Sequence, residues 1–231
     1  MSSPFTDSYK DFITLFINQG YKTIFFDELD INKNNQLILR HDIDFDLNAA
    51  YDIALIEKRL GVFSTYFFLL RGEFYNLLSD ENCHKLKKIQ DLGHKVSLHF
   101  DIEIYQNPKS SLEKEIKIFQ DIFDTSIDTI SIHRPNKNFL SKPNKYFHIM
   151  NTYEDPFFQQ TKYFADSGGR FRYDDPIKSE EFIANKNIQL LTHPIWWVSS
   201  HSSVKQTLNK LISDRTRNLN QLLKKNVKTF K

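Results

Sequence analysis

The feature that most constrains the fold of this chain is a regular alternation of short apolar runs with amphipathic stretches. The apolar runs are rich in β-branched and aromatic residues, as strands are, and the amphipathic stretches have the three- and four-residue apolar spacing of helices. The two alternate at a spacing of roughly 30 residues, the length of a βαβ unit, with no Gly/Ser linker and no internal repeat. The pattern therefore predicts parallel strands joined by helices.

About seven strands are expected from these signals. They fall at residues 36–40, 62–70, 95–100, 129–133, 147–151, 162–165 and 188–192. A helix is expected before them at 7–19, and a long one after them at 203–223. The predicted fold is α/β, a distorted (β/α) barrel of parallel strands in one domain over residues 1–231. A doubly wound sheet is the alternative that periodicity leaves open.

Composition and charge exclude several classes of function. The 31 basic and 29 acidic residues give a net charge of +2, which argues against a protein that binds nucleic acid by a strong basic excess. A single cysteine, Cys83, excludes an intrachain disulfide. The sequence contains no run of about 18 apolar residues, so no transmembrane helix is expected. Residues 1–7 lack the pattern of a signal peptide. We therefore expect a cytoplasmic location.

Acidic residues and histidines occur where the predicted strands end. The first strand leads into Asp42 and Asp44, which lie on the same side of an extended chain. The later strands end at or just before His99, His133, Asp166 and His193. Because parallel strands of a barrel present their carboxyl ends at one face, these side chains are expected to meet there. Asp46 is expected to cap the helix that follows. Carboxylates and histidines together favour a metal-dependent hydrolase.

Five short segments occur in a fixed order along the chain. They are Leu39–Asp44 with its Asp-x-Asp pair, Gly93–His99, His133–Pro135, Asp166–Gly169 and Leu191–Pro194. In this order they resemble the motifs of the polysaccharide deacetylase superfamily (NodB-like, carbohydrate esterase family 4), over most of the chain. The resemblance implies a distorted (β/α) barrel, similar to a TIM barrel, of seven or so strands. It also implies a divalent metal, usually zinc.

The resemblance implies roles for four residues. Asp42 would be the general base, and His193 the general acid that protonates the departing nitrogen. Asp44 and His99 would be metal ligands. These assignments agree with the chemistry of amide hydrolysis, in which a metal polarises the carbonyl and a carboxylate takes the proton of the attacking water.

The third metal ligand departs from the family pattern. Glu103 stands where the second motif has another histidine, and His133 replaces the arginine of the third motif. We take His133 as the third ligand, because neutral imidazole suits zinc and His133 shares a strand face with Ser131. Glu103 or Asp101 is the alternative, and a site richer in oxygen would accept manganese more readily.

Three further residues are expected to contact the substrate or the catalytic groups. Arg134 would bind an anionic substrate group or pair with Asp42, and Asp166 would position the catalytic histidine or Arg134. Trp197 would stack on a sugar ring. For one of the two neighbours Trp196 and Trp197, packing in the core is an equally compatible role.

The expected activity is deacetylation of an N-acetylated sugar or sugar nucleotide, which breaks a non-peptide C–N bond. Since no leader sequence is recognised, biosynthesis of a surface polysaccharide, such as lipopolysaccharide O-antigen or capsule, is the expected context by analogy. One alternative is an altered or inactive barrel that binds carbohydrate or a protein partner, and another is hydrolysis of a non-sugar amide. The long last helix would pack on its own barrel or on a second copy in a homo-oligomer.

Overall fold

The computed structural model describes residues 8–172, 174–198 and 203–230. The strands are β1 (Lys22–Ile24), β2 (Gln36–Ile43), β3 (Thr65–Phe68), β4 (Lys95–Asp101), β5 (Thr129–His133), β6 (Met150–Asn151), β7 (Lys162–Ala165) and β8 (Ile188–Thr192). The helices are α1 (Tyr9–Asn18), α2 (Leu47–Leu60), α3 (Asp80–Asp91), α4 (Pro108–Phe123), α5 (Lys137–Leu140), α6 (Pro143–Tyr146), α7 (Asp155–Phe158), α8 (Glu180–Ile183) and α9 (Val204–Asn226). Residues 1–7, on which the signal-peptide prediction depends, lie outside the described residues.

Seven of the strands form one curled sheet in the order β6-β5-β4-β3-β2-β8-β7, and every neighbouring pair is parallel. β1 pairs with the beginning of β2, where Lys22 aligns with Gln36. Strands that follow each other in the chain lie side by side from β2 to β6, as in a barrel and unlike a doubly wound sheet. This order confirms the predicted distorted (β/α) barrel.

β2 lies inside this order, and all of its residues are buried. Its side chains point alternately to the two faces of the sheet. Leu39 belongs to the hydrophobic core, and His41 contacts Glu57 of α2 at 2.8 Å. Arg40 and Asp42 pair with each other on the other face. A strand covered on both faces has no exposed polar positions, which explains its nearly continuous apolar run before the site.

The ends of α2 follow from local chemistry. Oδ1 of Asp46 accepts a hydrogen bond from the backbone N–H of Asn48 at 3.2 Å, which confirms Asp46 as the predicted cap. The helix ends at Gly61, whose φ of 69° lies in the left-handed region that glycine adopts easily. Because α2 starts directly after β2, its first turn lies beside the residues that end this strand. Among the described helices, none has the length and apolar character needed to cross a membrane.

Candidate metal centre and active site

The strands bring the predicted site residues to one face of the barrel. Asp42 lies at the end of β2 and Asp44 directly after it. His99 lies in β4 and His133 ends β5, while Asp166 follows β7 and His193 follows β8. Since all these strands are parallel, the six side chains come from the carboxyl ends, where barrels place their sites.

Asp44, His99 and His133 form a compact group of ligand-type atoms, all within 4.8 Å of one another. Nε2 of His99 lies 3.2 Å from Oδ1 of Asp44 and 3.0 Å from Nδ1 of His133. The same nitrogen of His133 lies 3.5 Å from Oδ1 of Asp44. Tetrahedral ligands bonded to one zinc ion at about 2.1 Å lie roughly 3.4 Å apart. The three atoms therefore have the mutual spacing of ligands to one ion.

The chemistry of these three side chains also fits a divalent cation. Oδ1 of Asp44 is buried and has no hydrogen-bond partner among the described residues, although it lies between two ring nitrogens. Burial, and then the neighbouring His99, lower the pKa of His133, so its ring is neutral, as a ligand must be. Burial by itself would raise the pKa of Asp44, but the neighbouring histidines outweigh it and the net shift is downward.

The two alternative ligands have other partners. A carboxylate oxygen of Asp101 pairs with the guanidinium of Arg134, and its other oxygen accepts the backbone N–H of Glu103 at 3.1 Å. The carboxylate of Glu103 accepts a hydrogen bond from the side chain of Asn136. Within the described residues, the candidate metal group therefore contains His133 and neither of these acids.

Asp42 is held by a buried arginine, Arg40, for which no role was predicted from the sequence. Nε and Nη2 of Arg40 donate to the two oxygens of Asp42 at 3.2 and 2.8 Å. Nη2 also donates to Oγ of Ser131 at 2.9 Å, and Nη1 to Oε1 of Gln189 at 3.0 Å. Burial alone would raise the pKa of Asp42, but the charge and hydrogen bonds of Arg40, together with the neighbouring histidines, outweigh it and hold this pKa well below its usual range. The sequence held one indication of this pair, because Arg40 and Asp42 are two residues apart on one strand and so share a face of the sheet.

His193 is held by a second buried carboxylate. Nδ1 of His193 lies 2.6 Å from Oδ1 of Asp166, and its backbone N–H donates to both oxygens of Asp166 at 3.0 Å. Nε2 of His193 lies 3.6 Å from Oδ2 of Asp44. Burial alone would lower the pKa of His193, but Asp166, together with Asp44 and Asp42, outweighs it and raises this pKa to about 9. The imidazole is therefore protonated at neutral pH.

The structure places the other three predicted site residues around this group. Asp166 is fully buried and its oxygens contact His193, which is one of the two positioning roles predicted for it. Trp197 is half-buried; its ring stacks on Phe12 at 4.9 Å and its Nε1 donates to Oδ2 of Asp166 at 2.7 Å, so its contact with a sugar stays a prediction. Arg134 pairs with Asp101 and not with the predicted base, but its side chain is 56% exposed and remains available at the rim.

Two aromatic residues beside the site gave no signal in the sequence. Phe45 follows Asp44, and its ring lies 4.9 Å from that of Phe74, in the segment after β3. Phe74 is 45% exposed, and the ring of Trp196 lies 5.9 Å from that of Phe45. Isolated aromatic residues in loops have no periodicity to detect. An exposed ring at this position offers a face on which a sugar ring can stack.

No protein-family model matches the chain, and a search of curated proteins finds no match. The chain has weak overall similarity to several solved structures. One is a family 4 carbohydrate esterase from Bacillus anthracis, at 15% identity and a TM-score of 0.47, with 98% of each chain covered. Another is the chitin deacetylase of the fungal pathogen Colletotrichum lindemuthianum, at 16% identity and a TM-score of 0.45, with 84% of this chain and 86% of that chain covered.

A third similar structure is described as a pseudoenzyme of carbohydrate esterase family 4, also from Bacillus anthracis. It is 14% identical, with a TM-score of 0.43 and 82% of this chain covered. This chain spans 63% of the length of that protein. Two of the three are named as members of carbohydrate esterase family 4, which the five sequence motifs resemble. The fold assignment rests on the strand order, and the candidate site rests on its own geometry.

Proposed function

We propose that this chain is a divergent member of the polysaccharide deacetylase superfamily and a metal-dependent deacetylase of an N-acetylated sugar. The observation that supports the proposal is the group formed by Asp44, His99 and His133, with two polar side chains beside it. Asp42, on one side, is an ionised carboxylate 3.7 Å from Nε2 of His99. His193, on another, is a protonated imidazole close to Asp44.

The side chains around the group have the properties that amide hydrolysis needs. A divalent ion held by the three ligands would polarise the carbonyl of the amide and make a bound water more acidic. Asp42 stays ionised because Arg40 stabilises its charge, so it can accept the proton of the attacking water. His193 holds a proton on Nε2, because Asp166 binds Nδ1, and can donate it to the departing nitrogen. The amine then leaves neutral and not as a poor anionic leaving group.

We propose zinc as the ion, because two imidazoles and one carboxylate are a common ligand set of catalytic zinc. The exposed ring of Phe74 and the guanidinium of Arg134 are the proposed contacts for the sugar. The proposed substrate is a sugar of surface polysaccharide biosynthesis, free or nucleotide-linked, encountered in the cytoplasm. This last part is proposed by analogy, from the motif resemblance.

The test combines metal analysis with acetate release. We expect wild-type protein to bind about one zinc ion per chain and to release acetate from at least one N-acetyl sugar or its nucleotide-linked form. Asp44→Ala and His99→Ala should lose the metal. Asp42→Asn should keep the metal and lower kcat by about 10²–10⁴-fold. Asp46→Asn is the matched control, because the same change in the same loop leaves a good helix cap.

Two outcomes would contradict the proposal. Equal metal content in wild type, Asp44→Ala and His99→Ala would contradict the proposed metal centre. A protein that binds zinc and carbohydrate but releases no acetate from any of the sugars would be the non-catalytic barrel instead.

A further inference from the structure

The sequence that contains α9 differs in charge from the rest of the chain. Residues 203–231 hold eight of the 31 Lys and Arg residues but only one of the 29 Asp and Glu residues, Asp214. The preceding part of the chain therefore has 23 basic and 28 acidic residues. The overall net charge of +2 is therefore the sum of a basic segment at residues 203–231 and a net acidic remainder of the chain. Such an asymmetry is typical of a segment that binds an anionic partner.

α9 is attached to the barrel by its first half. Thr207 is buried, and Nη2 of Arg215 donates to the carbonyl oxygen of Phe45 at 2.6 Å. The other terminal nitrogen of Arg215 donates to the carbonyl oxygen of Phe74. Beyond Arg215, every side chain of the helix is exposed except that of Leu223, which is half-buried. The second half of α9 therefore buries little of its surface, and one side of it faces the barrel across a groove.

The outer surface of α9 combines basic and apolar side chains. One side of α9 faces a groove of about 1070 Å³, whose other wall includes Asp46 and Asp52. Ile212, Arg217 and Lys224 do not line this groove and are exposed, Ile212 at 63%. At 3.6 residues per turn, Arg217 and Lys224 lie roughly 120–140° around the helix from Ile212, so the three border the side of α9 that is turned away from the groove. Directly after the helix, Val227 and Phe230 are 42% and 41% exposed on either side of Lys228.

We propose that this outer surface of α9 binds the surface of an anionic phospholipid bilayer. A helix with a basic polar face, exposed apolar residues and low overall hydrophobicity lies in the membrane interface without crossing it. Basic residues are attracted to anionic headgroups, and the exposed Ile and Phe side chains enter the boundary between headgroups and acyl chains. Because Arg215 joins α9 to the rim loops, binding would hold the mouth of the candidate site next to the membrane.

Two other partners fit the observations less well. Pairing of two α9 helices would bring two basic segments together, each with Asp214 as its single acidic residue, and like charges repel. A nucleic acid would be bound by the basic residues through its phosphates, but it would leave the exposed Ile212, Val227 and Phe230 unused. A bilayer uses both kinds of side chain.

The test is co-sedimentation of the full chain with lipid vesicles. We expect binding to phosphatidylcholine vesicles that contain about a third phosphatidylglycerol to be at least about tenfold stronger than binding to pure phosphatidylcholine, and to weaken with salt. The triple variant Arg217→Glu, Lys224→Glu, Lys228→Glu should lower it about tenfold or more. The matched control, Lys87→Glu, Lys114→Glu, Lys117→Glu, makes the same charge change on exposed residues of α3 and α4 and should have little effect.

Circular dichroism checks that both triple variants fold. Equal loss in the two variants, or equal binding to the two kinds of vesicle, would overturn the proposal. A concentration-dependent dimer abolished only by the α9 variant would assign the surface to a second copy. Complete displacement from vesicles by single-stranded RNA at equal phosphate concentration would assign it to a nucleic acid. These outcomes are independent of deacetylase activity.

Discussion

At the scale of single residues, the buried charge of Arg40 determines how the Asp42 carboxylate behaves. Arg40 is fully buried, and its guanidinium also lies over the ring of Tyr153, 5.3 Å from the centroid. Removing two charges from water is costly, and here each compensates the other through two hydrogen bonds. The pair is thus a structural requirement as well as the reason that Asp42 stays ionised.

Replacing Arg40 alone should therefore be harmful. We expect Arg40→Met to lower the free energy of unfolding by about 3–5 kcal/mol, because it leaves Asp42 buried and unpaired. The double variant Arg40→Met, Asp42→Leu should recover much of this loss in urea unfolding. Arg59→Met, at an exposed arginine of α2, is the control and should change stability by less than about 0.5 kcal/mol. Equal losses in the single and double variants would contradict this explanation.

Trp197 permits a test of positioning against substrate contact. Trp197→Phe keeps an aromatic ring but removes the N–H that donates to Asp166. We expect kcat of the proposed deacetylase to fall by about tenfold with KM unchanged, because a charged hydrogen bond contributes roughly 1.5–3 kcal/mol. Trp196→Phe is the control, since Nε1 of Trp196 has no hydrogen-bond partner in the described part of the chain. A rise in KM with constant kcat would instead support the original prediction of sugar stacking.

At the scale of elements, a buried polar network joins the helices to the outer face of the sheet. Glu57 of α2 is fully buried and accepts hydrogen bonds from Tyr9 of α1 at 2.6 Å and from Tyr66 of β3 at 2.7 Å. Its carboxylate also contacts His41 of β2 at 2.8 Å and accepts from Ser64 at 2.7 Å. Two helices and two strands are thus connected through one carboxylate, directly behind the strand that bears the site.

This network predicts a dependence of stability on pH. Burial alone would raise the pKa of Glu57, but His41, together with His94 and the hydrogen bond from Tyr66, outweighs it and lowers this pKa from the ordinary 4.5 to about 2. The stabilisation is therefore fully present above about pH 4.5 and is lost as the pH falls towards 2. The shift corresponds to about 3 kcal/mol.

Urea unfolding between neutral pH and about pH 3 tests this prediction. Glu57→Gln should be less stable than wild type at neutral pH, and the difference should shrink as the solution is acidified below about pH 4.5. Glu113→Gln, at an exposed glutamate of α4, should follow the wild-type curve. A difference between Glu57→Gln and wild type that stays constant with pH would exclude Glu57 as the titrating group.

At the scale of the whole molecule, the candidate metal group links separate strands of the barrel. Asp44 follows β2, His99 lies in β4 and His133 ends β5, so one ion would hold three strand ends together. A ligand that binds only the folded state stabilises it according to its concentration and affinity. The proposed metal should therefore be visible in stability as well as in activity.

Metal removal tests the third ligand without a substrate. After treatment with a chelator, addition of Zn²⁺ at about 100 times its Kd should raise Tm by about 5–10 °C. His133→Ala should lose most of this increase, whereas Glu103→Gln should keep it, because Glu103 is bonded to Asn136. Differential scanning fluorimetry measures both. Retention of the increase in His133→Ala together with its loss in Glu103→Gln would restore the alternative ligand.

Local patterns were sufficient for most of the barrel. The bounds of β5, β7 and β8 agree with the sequence prediction, because short runs of apolar residues suit strands that are covered on both faces. The segment from 136 to 187 was less predictable. It contains the four-residue helices α5 to α8, which are too short to show a helical period.

The sequence by itself determined which side chains stand at the strand ends, and the parallel order of the strands made them converge. It also determined the basic character of α9. Only the tertiary structure decided which side chains meet: His133 and not Glu103 beside His99, and Arg40 and not Arg134 on Asp42. The reason is that such contacts depend on strand register and on the direction of each side chain, which are set by residues far away in the chain.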